Sequence, residues 1–233
     1  MKTLWEKFNP SEYVKDNYSV IHDEDKEIIR KLVNFCIELP DVDLALDVGV
    51  GPNLYSIMAM LPFAGQIECI DFSSANLAYL RKQVKKLDSN WLHFWNLFKS
   101  LSQKYDIDLE QNLRGKVIIK QGSIYELKEN KYDLASMFFC AESITSKSEE
   151  FSGACNKFID SVKPGGCLVA AFMENSKGYK IGNIEFSACP VDTKVIRRIF
   201  DPKTKNLLVT RIPLAKQPLR PGYTGMIFLT ASI

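Results

Sequence analysis

The sequence predicts an α/β protein built on a doubly wound, mostly parallel sheet. Strand-like and helix-like segments alternate over about 130 residues, the pattern typical of that architecture. The first strand-like segment, residues 44–48, is an almost unbroken apolar run, as expected of a parallel strand covered on both faces. In such folds a ligand binds at the carboxyl ends of the strands.

The predicted elements follow in a regular order. A helix over residues 23–39 begins with Asp23 as its N-cap and is ended by Pro40. The first strand ends at glycines, and Pro62 ends the next helix, over 54–61. The remaining core elements are a strand over 66–71, a helix over 74–87 capped by Ser73, an aromatic helical segment over 91–105, strands over 116–120 and 132–139, a helix over 149–162 and a fifth strand over 167–173.

The C-terminal part departs from this alternation. Residues 206–212 and 225–232 read as two strands joined by a proline-rich loop, with a short helix before them. We therefore expect an antiparallel pair that closes one edge of the sheet. The prediction is one domain over 1–233, with an N-terminal helical cap over 1–40 and a core over 41–233 that carries an aromatic insertion over 88–113.

Composition argues against several kinds of partner. The chain has 233 residues, 25% of them charged, with a formal net charge of +2. Its densest basic run, residues 81–86, reads as the solvated face of a helix, so we expect no nucleic-acid partner. No apolar run approaches the roughly 18 residues of a membrane helix, so we expect no membrane partner.

The cysteines and the N-terminal residues indicate a cytoplasmic protein. None of the six cysteines belongs to a CxxC pair, which argues against a disulfide framework or a metal site. Residues 1–10 are charged and lack the apolar centre of a signal peptide. We expect a small-molecule substrate, and the sequence leaves the oligomeric state open.

The strongest motif is Asp47-Val48-Gly49-Val50-Gly51-Pro52, which follows the first strand. Glycines there let the backbone approach a ligand closely, and the next helix presents free N–H groups. Asp71 ends the second strand about twenty residues further on, where an acid accepts hydrogen bonds from ribose hydroxyls. The pair predicts an adenosine-containing cofactor.

The motif favours S-adenosylmethionine (SAM) over a nicotinamide dinucleotide. The dinucleotide fingerprint GxGxxG places a third glycine where this chain has Leu54, and Pro52 intervenes. Because SAM has no pyrophosphate, it does not require that glycine. The run Lys163-Pro164-Gly165-Gly166, predicted as a turn before the fifth strand, is common in SAM-dependent methyltransferases.

Four motifs then resemble one family. They are residues 8–13 with Tyr18, the glycine motif extended through Tyr55, residues 71–77, and residues 177–182 with 186–187. Together they are similar to the nicotinamide, phenylethanolamine and thioether methyltransferase family, of which the chain is identified as a divergent, bacterial-like member. The match runs from about Phe8 to Val191, and the last forty or so residues match poorly.

This resemblance implies a class I SAM-dependent methyltransferase fold. It has a Rossmann-like, seven-stranded, mostly parallel sheet with helices on both faces, an antiparallel C-terminal strand and an N-terminal helical cap. The resemblance places Tyr13, Tyr18 and Tyr55 at the methionine part of SAM and Asp71 at the ribose. The further cofactor-binding residues it implies are Asp47, Gly49, Gly51, Phe72, Asn76, Ser123, Ile124 and Phe138, with Ser123 standing where the family often has an acid.

On the acceptor side, we expect Tyr18 and Tyr179 to shape the reaction pocket and Glu142 to act as a base or orienting group. Transfer from a sulfonium mainly needs alignment and exclusion of water. The aromatic segment reads either as a cap over the substrate or as an ordinary amphipathic helix. The predicted substrate-pocket residues are Trp91, Phe94, Trp95, Phe172 and Ser176, with Phe172 where the family's nicotinamide and amine enzymes carry a carboxylate.

The functional hypothesis is methyl transfer from SAM to a nitrogen, oxygen or sulfur of a small molecule, in specialised metabolism. Three alternatives remain: a nicotinamide-dependent reductase, a catalytically silent SAM-binding module, and transfer of another SAM carbon with release of methylthioadenosine. A nucleic-acid amino-methyltransferase is disfavoured, because residues 136–142 lack the proline and amide that grip a flipped base.

Overall fold

The computed structural model describes residues 7–216 and 218–233. Nine strands are found in this part of the chain: β1 (Val42–Val48), β2 (Ala64–Asp71), β3 (Val117–Gln121), β4 (Tyr132–Phe138), β5 (Val162–Glu174), β6 (Tyr179–Ile181), β7 (Ile184–Phe186), β8 (Lys205–Pro213) and β9 (Gly225–Ser232). Seven form the main sheet, in the order β3-β2-β1-β4-β5-β9-β8. The two others, β6 and β7, form a separate hairpin.

The predicted sheet is confirmed. Strands β1 to β5 run parallel, and β9 runs antiparallel to both β5 and β8. The expected C-terminal strand pair is present, with β9 inserted between β5 and β8 so that β8 lies at the edge. The sequence analysis predicted the pair but not which of its two strands lies at the edge.

Helices cover both faces of the sheet. They are α1 (Pro10–Tyr18), α2 (Asp23–Cys36), α3 (Tyr55–Met60), α4 (Ser74–Lys85), α5 (Ser89–Leu101), α6 (Leu109–Lys116), α7 (Ser148–Asp160) and α8 (Thr193–Phe200). Neighbouring residues of β1 show the division: Ala45 belongs to the apolar cluster under α2, α3 and α5, and Leu46 belongs to the one under α7 and α8. Successive side chains of a strand point to opposite faces, so each strand contributes to both layers.

The aromatic segment packs into the core. It forms α5, a short 3-10 turn (Gln103–Tyr105) and α6, which the sequence did not predict. Trp91, Phe94 and Phe98 on α5 are all almost fully buried. The Trp91 indole N–H donates a 2.9 Å hydrogen bond to the Tyr79 hydroxyl. The structure therefore supports the amphipathic-helix interpretation of this segment.

Strand β5 begins earlier than predicted. It starts at Val162, so the run Lys163–Gly166 lies within the strand as an irregularity in its pairing with β4. Gly166 suits this irregularity, because a Cβ there would lie 2.7 Å from the carbonyl oxygen of Asp133. Within residues 7–216 and 218–233, no helix has the length and apolar character to cross a membrane.

Candidate cofactor and acceptor site

A cavity of about 330 Å³ opens at the carboxyl ends of β1, β2 and β4, where the fold predicts a ligand. Its walls come from the loops after these strands, from α1 and from the β6–β7 hairpin. Eleven of the residues predicted to bind cofactor or shape the reaction pocket line it: Tyr13, Tyr18, Gly49, Gly51, Asp71, Phe72, Asn76, Ser123, Ile124, Phe138 and Tyr179.

The glycine turn, residues 49–52, requires glycine for two different reasons. Gly49 has φ +63°, and a Cβ there would lie 2.0 Å from the Cys140 sulfur, so no larger residue fits. Gly51 has φ +57°, yet its Cβ would meet no protein atom closer than 3.9 Å. The space beside Gly51 belongs to the cavity. Gly49 therefore serves packing, and Gly51 leaves room for a ligand.

Asp71 connects this turn to the end of β2. One carboxylate oxygen accepts a 2.8 Å hydrogen bond from the Gly51 N–H. The other accepts from the Ser73 N–H at 2.7 Å and from the Asn76 side-chain amide at 3.2 Å. Burial raises the pKa of Asp71, against the effect of these hydrogen bonds. Asn76 lines the cavity, and its Oδ1 is buried without a hydrogen-bond partner in the described part of the chain.

Asp47 was predicted to bind the cofactor, but it lies below the cavity and does not line it. The Ser56 hydroxyl donates to one of its carboxylate oxygens at 2.6 Å, and the Ser136 hydroxyl donates to the other at 2.8 Å. Burial raises its pKa to about 7. Because both oxygens are engaged, Asp47 supports the glycine turn from beneath.

A cluster of aromatic side chains, here called the aromatic cover, forms part of the cavity wall. The Tyr179 ring stacks on Phe186 at 5.1 Å, and Tyr13 contacts both Tyr179, at 6.4 Å, and Tyr18, at 5.9 Å. Phe8 packs against Tyr13 at 5.4 Å. Burial is the main cause that raises the pKa values of the three tyrosines, so their hydroxyls stay protonated at neutral pH.

Four predicted aromatic residues lie outside the cavity. Tyr55 is fully buried and packs edge-on against Tyr18, at 6.0 Å, and Phe138, at 5.7 Å, behind the cavity wall. The other three, Trp91, Phe94 and Trp95, belong to the core cluster under α5. These positions favour the amphipathic-helix interpretation of the segment, and its role as a substrate cap stays a prediction.

Phe172 also lies away from the site. Its ring packs between Phe151, at 5.9 Å, and Phe200, at 6.3 Å, on the face of the sheet under α7 and α8. The next residue of the same strand, Met173, points to the opposite face. The prediction that Phe172 lines the substrate pocket was wrong, because it misjudged which residues of β5 face the cavity side.

Glu142 and Ser176 are buried next to the site without lining the cavity. One Glu142 oxygen accepts a 2.9 Å hydrogen bond from the Met173 N–H, and the other is buried without a partner in the described residues. Burial raises the pKa of Glu142 to about 7. Ser176 accepts a long hydrogen bond, 3.4 Å, from the Gly178 N–H and shapes the turn before β6.

A smaller space of about 30 Å³, here called the inner recess, adjoins the aromatic cover. It shares Tyr13, Tyr18, Phe139, Ser143 and Tyr179 with the cavity. Its remaining walls come from Asn17, Asp25, Met173, Leu219, Arg220 and Met226. Sequence reasoning missed Asp25 and Arg220. Asp25 looked like an ordinary acid in the first turn of a helix, and Arg220 lies in the loop that matched no motif.

The fold and this site define a class I SAM-dependent methyltransferase. A SAM-dependent methyltransferase from Thermotoga maritima, described as a possible histamine N-methyltransferase, shares the fold at 14% identity and a TM-score of 0.60, covering 100% of this chain and 99% of that chain. The magnesium protoporphyrin IX methyltransferase of Synechocystis, solved with bound SAM, does so at 10% identity and a TM-score of 0.63, covering 99% and 95%.

The chain belongs to the NNMT/PNMT/TEMT family, whose model matches residues 1–231. Human nicotinamide N-methyltransferase is 24% identical over 215 residues, which cover 81% of this chain and 78% of that protein. The pig enzyme is 24% identical over 199 residues, covering 78% and 75%. The predicted family is confirmed, and the match extends past Val191 into the C-terminal strands. The protein is a methyltransferase that uses SAM.

Proposed function

We propose that the cavity binds SAM with its adenosine at the Asp71 end and its methionine part under the aromatic cover. The supporting observation is that Asp71 and Asn76 line one continuous cavity together with the tyrosines of the aromatic cover. Phe72 and Ile124, on loops after neighbouring strands, offer apolar walls for the adenine, and Ser123 a polar edge. Gly51 provides the space for the ligand beside the turn.

When bound, SAM supplies a methyl group activated by a positively charged sulfur. The three tyrosines of the cover exclude water from the transfer site, and their rings stabilise a cation at close range. Their protonated hydroxyls donate hydrogen bonds without adding a negative charge. The proposed catalytic set is Tyr18 and Tyr179 at the transfer site, with Glu142 as an orienting group behind Ser143 and Met173.

We propose that the acceptor is a nitrogen of a small molecule and that the protein works in the cytoplasm, in specialised metabolism. The relatives described above are named as N-methyltransferases. A neutral nitrogen needs no strong general base, because it already carries the attacking electron pair. The cavity volume lies in the range of small-molecule sites, which fits a metabolite as the acceptor.

The test compares two glycine variants. In Gly51→Trp the indole fills the cavity, so we expect binding of S-adenosylhomocysteine, measured by titration calorimetry, to be lost. Gly165→Trp is the matched control, since Gly165 also has positive φ, at +82°, and open space around it but lies outside the cavity. Equal affinity of the two variants for the ligand would refute the proposed site.

Product analysis separates the remaining functions. Methyl-labelled SAM is incubated with the protein and a pool of small amines, and the products are read by mass. Labelled product together with S-adenosylhomocysteine supports methyl transfer. Methylthioadenosine would instead indicate attack at another carbon, and binding without any turnover of SAM would indicate a silent module.

A further inference from the structure

A single cationic side chain reaches the site. Among the described residues that line the cavity or the inner recess, Arg220 is the one lysine or arginine, and it lies in the wall of the recess. It comes from the loop that joins β8 to β9. Because the recess and the cavity share the tyrosines of the aromatic cover, the charge of Arg220 is placed beside the proposed transfer site.

Arg220 is held in position from one side. Its guanidinium carbon lies 4.7 Å from the centre of the Tyr179 ring, and its Nη1 donates a 3.1 Å hydrogen bond to the Gly178 carbonyl. A guanidinium has about five N–H donors, and in the described chain this bond uses one of them. The stacked side chain is therefore oriented in advance, with donors left for a further partner.

No carboxylate of the described residues forms an ion pair with Arg220. Arg211, at the end of β8, shows the paired arrangement, since its Nε donates to the Glu174 carboxylate at 2.7 Å. Arg220 is partly buried, and a cation withdrawn from water without an anion is incompletely stabilised. The missing partner of Arg220 is therefore an anion.

Asp25 lines the same recess without pairing with Arg220. Burial has the largest influence on the pKa of both Tyr179 and Tyr18, but the charge of Arg220 lowers the pKa of Tyr179, whereas that of Asp25 raises the pKa of Tyr18. The two charges thus act from different sides of the recess. Burial, and next the Glu24 carboxylate, raise the pKa of Asp25 to about 7, and a protonated Asp25 does not repel an anion.

The recess has the size of a carboxylate group. One water molecule needs roughly 10–15 Å³ by the same measure, so the recess, at about 30 Å³, holds about two groups of that size. A carboxylate brings two oxygens, which match the fork of a guanidinium. Ser143 and the protonated tyrosines of the aromatic cover also belong to the wall, and their hydroxyls are further donors of the kind a carboxylate accepts.

Building on the proposed function, we propose that Arg220 binds a carboxylate group in the inner recess. The carboxylate has two sources, the small-molecule acceptor and the methionine part of SAM, and both meet under the aromatic cover. In either case Arg220 decides which molecules bind well and takes part in no bond-making step. It is a specificity-determining residue.

The first arm of the test examines the acceptor. The protein, saturated with S-adenosylhomocysteine at pH 6.5, is titrated with n-butyrate and with n-butanol, which have the same chain length and differ in charge, and binding is followed by NMR. If the acceptor supplies the carboxylate, we expect n-butyrate to bind at least about tenfold more tightly than n-butanol. In Arg220→Gln this preference should disappear.

The second arm examines the cofactor. Titration calorimetry compares S-adenosylhomocysteine with its decarboxylated analogue, S-adenosyl-3-thiopropylamine. If the cofactor supplies the carboxylate, we expect the analogue to bind at least about tenfold more weakly to the unmodified protein, and we expect Arg220→Gln to bind both compounds equally. The comparison of probes on the unmodified protein does not depend on the folding of any variant.

The control variant is Arg198→Gln, which removes the same charge from an exposed side chain of α8 that lines neither space. It should behave as the unmodified protein in both arms. The proposal is overturned if neither arm shows a preference for the carboxylate, if the preference persists in Arg220→Gln, or if Arg198→Gln abolishes it equally. If S-adenosylhomocysteine itself does not bind, the proposed function fails, and n-butyrate and n-butanol on the free protein still decide the role of Arg220.

Discussion

The hydrogen bonds of Asp71 allow a quantitative prediction for Asp71→Asn. A carboxylate has about four acceptor positions, and three are taken by the N–H groups of Gly51, Ser73 and Asn76. About one position is left for a ribose hydroxyl. In the variant, an amide NH₂ group replaces one of the two carboxylate oxygens. This new donor then faces either the Gly51 N–H or the N–H groups of Ser73 and Asn76.

The variant therefore loses one hydrogen bond to a charged group within the protein, which lowers the free energy of unfolding by about 1.5–3 kcal/mol. If the ribose contact is lost as well, a similar amount is removed from ligand binding, which corresponds to a roughly 10- to 100-fold weaker affinity for S-adenosylhomocysteine. Urea unfolding and titration calorimetry at pH 8 measure the two effects separately.

Asp47→Asn provides the comparison, because Asp47 is equally buried but is held by two serine hydroxyls. A hydroxyl can rotate and accept from the new amide, whereas a backbone N–H cannot. We expect Asp47→Asn to reduce the unfolding free energy by less than about 1 kcal/mol and to leave ligand affinity unchanged. If both variants weaken ligand binding to the same extent, the assignment of Asp71 as the ribose-binding acid is wrong.

Three further predictions concern stability. Gly49→Ala should cost about 2–4 kcal/mol in urea unfolding, because its Cβ would lie 2.0 Å from the Cys140 sulfur at a positive φ; a cost below about 1 kcal/mol would contradict this. Trp95→Ala should lower the free energy of unfolding by about 3–5 kcal/mol, because Trp95 lies in the core. At a temperature where the variant is folded, its affinity for S-adenosylhomocysteine should be nearly unchanged. A selective loss of affinity would favour the cap hypothesis. Burial raises the pKa of Glu68, but hydrogen bonds from two lysines and a tyrosine outweigh burial and lower the pKa to about 2. These hydrogen bonds should therefore contribute about 1–2 kcal/mol to the free energy of unfolding, after allowance for screening, in full above the unfolded-state pKa, and this contribution should be lost as the pH falls from about 4.5 to 2. Glu68→Gln should remove that part of the pH dependence of unfolding, and an unchanged pH dependence would refute the prediction.

Local signals explain what the sequence predicted well. The glycine turn and Asp71 are recognisable because backbone conformation and close approach restrict residue type within a few positions. The structure brings both to one cavity, together with Tyr13 and Tyr179 from distant parts of the chain. The family resemblance added the tyrosines, which no local rule identifies.

The misses arise from tertiary packing. Phe172 was assigned to the wrong face because strand β5 is buried on both sides, so its sequence does not alternate. The position of Asp25 beside the recess could not be predicted, because the recess wall also includes Leu219 and Arg220 from a loop distant in sequence. That loop is fixed by contacts such as the one from Ala215 to Glu24, which are 191 residues apart in sequence.

The insertion of β9 between β5 and β8 has a consequence for biosynthesis. Strand β8 emerges from the ribosome before the strand that must lie beside it, and the edge of β5 stays unpaired until β9 arrives. An open edge of this kind is a template for association with other chains. Between the translation of β5 and β9 the nascent polypeptide therefore exposes an edge through which it can aggregate, and a chaperone bound there would protect it.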